Sequence, residues 1–238
     1  MPLLRRSWLA GTATVLAHAA SPRIVQAGAA DDFLTAALHH TRALRSGALD
    51  AKGWHAAIAG LAPTVDVDAL RRRPEVSAIA TLDAPDRGAA TRVLALHEAG
   101  DGGPPIRVKL FALRRDRALV PHGHRGMVSL HLVLEGRVHG LHYDRVHDDL
   151  DHVLLRPAAD VRHHPGDVST MSATHRNVHW FRAQNGPALI LGISAALGSG
   201  APERTFLDPL LAERFAGDLL RAPKLSAAEA RARYGKTT

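Results

Sequence analysis

The apolar positions of the chain change period once. Through residue 73 they recur at helical spacing, and from Val76 onward they alternate with polar ones. Leu34, Ala37, Leu38 and Thr41 fall on one face of a helix over residues 31–46, with Asp31 and Asp32 at its start and Gly47 after its end. Trp54 and Ile58 mark a second helix over 50–61, stopped before Pro63, and a short third runs over 67–73 before Pro74. Strand-like alternation follows at 77–82, 91–97, 106–113, 118–120, 130–134, 138–143, 152–155, 167–171, 178–183 and 188–194. Turn-forming residues separate these runs, among them Asp86-Arg87-Gly88, Glu135-Gly136, Pro165-Gly166-Asp167 and Asn185-Gly186-Pro187. Short strands with turns at such intervals predict a mainly β fold, an antiparallel barrel or jelly roll. The expected division is an N-terminal helical extension over 30–75, a β-barrel over 76–198 and a peripheral helical tail over 199–238. That tail is predicted to hold a helix over 209–220 and a last helical piece begun by Ser226, with Glu229 completing a capping box.

Residues 1–29 stand apart from this pattern. Arg5-Arg6-Ser7-Trp8-Leu9 resembles a twin-arginine export motif, a weakly apolar stretch follows, and small-residue cleavage sites lie at Ala17-His18-Ala19 and Ala27-Gly28-Ala29. The expectation is a signal peptide delivering a folded protein to the periplasm or the exterior. No apolar run reaches the ~20 residues of a membrane span, so no integral membrane segment is expected once the leader is removed. The leader also accounts for part of the basic balance: without its three arginines the surplus falls from +7 to +4. The remaining basic residues are scattered, with neither a basic stripe nor aromatic interleaving, which argues against a nucleic-acid partner. Cysteine is absent. Disulfides, thiolate metal sites and a cysteine nucleophile are therefore excluded, and any metal site must be built from His, Asp and Glu.

Sixteen histidines supply the chemistry worth weighing. His122 and His124 sit one residue apart at the start of an extended run, and in a strand such a pair aims both imidazoles to one face. Inside a barrel they would suit a transition metal. A third ligand must come from further along. The hairpin after Pro165-Gly166-Asp167 returns through His179, the preferred third ligand, with His175 as its rival. His131 alternates with Leu130, Leu132 and Leu134, facing either solvent or the back of the metal. His163-His164 reads as a loop pair before Pro165, while His39, His40 and His55 lie in the helices in surface or packing roles. Tyr143 could offer a hydroxyl to a pocket or sit in the core. Arg107 and Lys109 share a strand face, either solvated or placed for a substrate carboxylate.

Taken together, Pro121, His122, His124, Gly126, Met127, Leu134, Gly136, Tyr143 and Asp144, followed by Pro165-Gly166-Asp167 and then Asn177, His179, Phe181 and Ala183, resemble the cupin superfamily. Within it the pattern is closest to the three-histidine thiol dioxygenases, the cysteamine dioxygenase and plant cysteine oxidase group. The resemblance spans roughly residues 106–194. It implies a cupin-like barrel with a non-haem Fe(II) centre on His122, His124 and His179, and Asn177 as a neighbour. Val128 stands where the general cupin pattern has a metal-binding Glu, which favours an all-histidine site. The strand that carries a buried Asp in the thiol dioxygenases reads Leu189-Ile190-Leu191-Gly192 here, and the Pro-Pro-Tyr that follows in that group is missing. The implied function is an O2-dependent dioxygenase of a small molecule, a thiol first among them, and the resemblance also admits a homodimer. Imidazole ligands equally suit Zn, Mn, Ni or Cu. Two other functions fit the same residues: a non-enzymatic periplasmic cupin that binds a metal or small ligand, and a metal-dependent isomerase of a sugar or small acid.

Overall fold

A computed structural model describes residues 29–81, 87–98, 100, 102–198 and 203–236. The leader expected over 1–29 lies outside them, apart from Ala29. Helices α1 (Ala29–Arg45), α2 (Ala51–Leu61), α3 (Val67–Arg72) and α4 (Pro74–Ser77) come first. Strands follow as β1 (Ala90–His97), β2 (Ile106–Leu113), β3 (Ala118–Arg125), β4 (Met127–Asp148), β5 (His152–His163), β6 (Val168–Met171), β7 (Val178–Ala196), β8 (Glu203–Leu207), β9 (Glu213–Arg214) and β10 (Leu220–Leu225), before helix α5 (Ala227–Tyr234). All strand pairings are antiparallel.

The sheet closes on itself. Its order is β1-β2-β7-β3-β8-β10-β5-β4-β6, and β4 also pairs with β7, which joins the ring through β3, β8, β10 and β5. Strands β4 and β7 stay paired along nearly their whole length, from Met127↔Ala196 to Tyr143↔Val178. Where turns were predicted at Glu135-Gly136 and Asn185-Gly186-Pro187, neither strand reverses. Both bend at the same level, with register shifts around Glu135 and with Gly136 at φ +78° and Asn185 at φ +61°. The residue types that allow a hairpin also allow a sharp bend, and a partner bending alongside decides between them. Gly136 is required there: a Cβ would come within 2.1 Å of the Pro187 carbonyl oxygen.

The helices cover one face of the part of the sheet formed by β2, the first half of β4 and the second half of β7. Phe33, Trp54, Ile58 and Leu70 pack with Ile106, Val108, Leu130, Leu132, Leu134, Leu191 and Ile193 in one core cluster. Because strand side chains alternate, the residues between these point into the barrel. A second cluster, with Val133, Val138, Phe181 and Ile190, fills the interior away from the open end.

Three further expectations fail. Residues 77–81, predicted as a strand, continue α4 and then form a 3-10 helix, with Val76 and Ile79 buried against the helical layer. The helix expected over 209–220 is instead a turn, β9 and the start of β10. The Asp208 carboxylate accepts the Leu211 N–H, Gly217 turns the chain in the left-handed region, and β9 pairs with β10. Leu210, Leu211 and Phe215, which would have been that helix's buried face, are 60–70% exposed. The C-terminal segment is also not peripheral, since β8 pairs with β3 and β10 with β5. The final helix does form, with Ser226 and Glu229 in the expected capping box. It packs Ala230 and Tyr234 against Ala118, Val120 and Trp180. Among the described residues no helix is long and apolar enough to cross a membrane.

Candidate metal centre

Register, not sequence spacing, assembles the site. His122 lies opposite His179 across β3 and β7, His179 opposite His142 across β7 and β4, and His122 opposite Phe206 across β3 and β8. Directly paired residues share a face, so Phe206, His122, His179 and His142 form one row across four strands. His124 follows His122 on the same face of β3 and is paired with Arg204. The residue between the two histidines must be small, because a Cβ at Gly123 would lie 2.8 Å from Val178 Cγ2 and 2.9 Å from Arg145 Nη2.

His122, His124 and His179 each offer a ring nitrogen within 4.8 Å of the others, and all three side chains are buried. Ring centroids are 4.7 Å apart for His122–His124 and 4.4 Å for His122–His179. His122 Nδ1 lies 2.7 Å from the Val120 carbonyl, a bond that places the proton on Nδ1 and leaves Nε2 as a lone pair. His179 Nδ1 is buried with no hydrogen-bond partner. Burial pushes the His122 pKa down to about 4 and lowers those of His124 and His179 further, the neighbouring rings adding to the effect. All three are therefore neutral at pH 7, the form in which imidazole binds a metal. Three convergent neutral imidazoles fit one divalent transition ion.

These rings stand in a cavity of about 370 Å³ that β1, β2, β8 and α5 also line. His131 also lines it, 7% exposed, with its ring centroid 5.1 Å from that of His179. The inward side of β4 thus takes His131, while the leucines beside it face the helices. Burial lowers the His131 pKa to about 3, with His122 adding to the shift.

The other expected residues divide. Asn177 does not line the cavity; it holds the frame. Its main-chain carbonyl accepts from His124 N at 2.9 Å, its Oδ1 accepts from Arg145 N at 2.8 Å, and its Nδ2 donates to Ala173 O at 2.7 Å. Tyr143 points away from the cavity: alternation gives His142 the position opposite His179, and Tyr143 packs in the core against the buried Val153, Leu155 and Leu207, the second of the two placements expected for it. Arg107 shares the inward face of β2, but Lys109 and Phe111 line the cavity and Arg107 does not. His175 lies outside the cluster, exposed, 3.6 Å from the Asp144 carboxylate and edge-on to His55.

Sequence reasoning missed four residues here. His142, 2% exposed, sits behind His179 with its Nε2 3.2 Å from Ser169 Oγ. His163 is not in a loop but ends β5, buried, with its ring 6.3 Å from that of His142. The alternation of His139, Leu141 and Tyr143 against Gly140 and His142 carried a signal for the first. Arg204 and Phe206 come from the start of the segment expected to be a peripheral helical tail, where Glu203-Arg204-Thr205-Phe206-Leu207 itself alternates.

No protein-family model matches this chain, and neither does any curated protein. Among solved structures the chain is similar to a cupin superfamily protein from Desulfitobacterium hafniense, at 17% identity and a TM-score of 0.35 over 52% of this chain and 92% of that one. It is similar to KdgF from Halomonas sp. at 17% identity and a TM-score of 0.34, covering 46% and 79% of the two chains. A vicilin from Capsicum annuum matches at 17% identity and a TM-score of 0.34 over 42% of this chain, which spans 25% of the vicilin's length.

Proposed function

We propose that the chain is an exported cupin-type metalloenzyme that holds one Fe(II) on His122, His124 and His179 and oxidises a small molecule with O2, a thiol being the first choice of substrate. The observation that carries this reading is the convergence of three buried, neutral imidazoles on one point at the base of an open cavity. When bound there, the ion would supply open coordination positions for substrate and O2, and the redox reactivity that a protein side chain lacks.

The chain's own residues do the rest. The Val120 carbonyl fixes the His122 tautomer and ring plane. Asn177 holds β3 to the strand bearing His179, so the imidazoles keep their spacing. Phe111 and Phe206 narrow the cavity and displace water from its walls. With no carboxylate among the ligands, the site keeps the full charge of its ion and favours an anionic donor such as a thiolate.

Anaerobic loading followed by elemental analysis and oxygen uptake against a thiol panel tests the reading. About one equivalent of iron and thiol-dependent uptake are expected. Metal binding without uptake for any thiol would leave the non-enzymatic cupin, and uptake-independent conversion of a sugar or small acid would leave the isomerase. The leader belongs to the same proposal, and retention of an Arg5→Lys, Arg6→Lys double variant in the cytoplasm tests it.

A further inference from the structure

The cavity that holds the imidazoles also holds positive charges that no carboxylate among the described residues balances. Lys109, Arg204 and Arg231 line it, no Asp or Glu does among the described residues, and none of the three has an ion-pair partner there. Their placement follows from register. Lys109 faces Gly192 across β2 and β7, and Gly192 faces His131 across β7 and β4, so one row carries Lys109, a gap and His131. The gap is structural: a Cβ at Gly192 would lie 2.8 Å from Phe111 Cε2. On the other wall Arg204 is the cross-strand partner of His124, and Arg231 comes from α5 at the mouth.

Unpaired like charges drawn together at a half-buried site are costly without an anion between them. Burial lowers the pKa of Lys109, and the charges of Arg107 and Arg204 lower it further; burial and Arg231 do the same to Arg204. Arg204 pairs with His124 across β8 and β3, and Lys109 lines the same cavity as the three imidazoles, which puts both charges beside the candidate metal centre.

We infer that Lys109 and Arg204 form an anion subsite beside the metal centre, and that the substrate is a small carboxylic acid bearing its reactive donor group a few atoms from the carboxylate. The inference rests on the metal reading above and narrows its substrate class. The guanidinium fork of Arg204 matches a planar carboxylate, and Lys109 adds a point charge from the facing wall. A cavity of about 370 Å³ has room for a small acid.

Two thiols of similar size and opposite charge, 3-mercaptopropionate and 2-mercaptoethylamine, separate the outcomes by calorimetry on the cobalt-loaded full chain. The acid is expected to bind about tenfold or more tighter than the amine. Lys109→Met and Arg204→Gln should each remove most of that preference while cobalt content and melting temperature stay unchanged, and Lys109→Arg should restore part of it. Equal binding of the two thiols, or a preference that survives both substitutions, overturns the subsite. Stronger displacement by inorganic phosphate than by propionate overturns the carboxylate assignment. Propionate binding to metal-free protein separates the two readings. If it persists and depends on Arg204 while no metal is taken up, the metal centre fails and the subsite stands; metal uptake without charge preference gives the reverse.

Discussion

At the scale of single residues, the site depends on which imidazoles point inward. On the proposed metal reading, His179→Ala removes one of three convergent imidazoles and is expected to lower metal content at least about tenfold, whereas His175→Ala, exposed and 3.6 Å from the Asp144 carboxylate, should leave it unchanged. Equal metal content in wild type and His179→Ala would remove His179 from the centre. The pattern HxH in a strand gave two of these inward imidazoles from the sequence, because alternation is a local rule. It did not settle His131, whose two faces are equivalent until something covers one of them. The helices cover the leucine face of β4, and His131 is left inside. The same rule turns Tyr143 away from the cavity into a separate core cluster and brings in His142, a choice that only the pairing with His179 makes visible.

Among the elements, β4 and β7 are the structural spine, and their shared bend lets one pair of strands serve both halves of the barrel. Gly136→Ala forces a side chain into the left-handed region and against the Pro187 carbonyl, so a loss of about 2 kcal/mol or more in unfolding free energy is expected. A denaturant midpoint within error of wild type would show that the bend relaxes freely. Glu135-Gly136 and Asn185-Gly186-Pro187 were legible as breaks in the strand pattern, but hairpin and bend draw on the same residues. The C-terminal segment was misread for a related reason. Leu210, Leu211 and Phe215 have helical spacing, yet spacing makes a helix only where a surface waits to receive it. Here the Asp208 carboxylate accepts from Leu211 N and from the Tyr234 hydroxyl, and the chain turns back into the sheet.

For the molecule as a whole, the interior holds several buried histidines, His122, His124, His131, His142 and His179 among them. Burial pushes the His122 pKa to about 4, and those of His131 and His142 to about 3, against 6.5 in the unfolded chain. Between these limits the unfolded chain takes up protons that the folded one refuses, so stability is full above about pH 6.5 and falls as the pH drops toward 3. Metal-free protein should therefore melt at clearly lower temperature at pH 5 than at pH 7.5, and bound metal should offset part of the loss. A melting temperature flat over that range would mean the rings are not buried neutral.

What the sequence determined by itself was local: the change of period from helix to strand, the capping box at Ser226, the exclusion of thiolate chemistry and the His122/His124 pair, all consequences of neighbours a few residues apart. What only the tertiary structure decided was long-range: the closure of the ring through β8 and β10, the inward turn of His131 and His142, and the meeting of Lys109 with Arg204 across the cavity. Alternation allows each strand two orientations, and only its partners across the sheet select one.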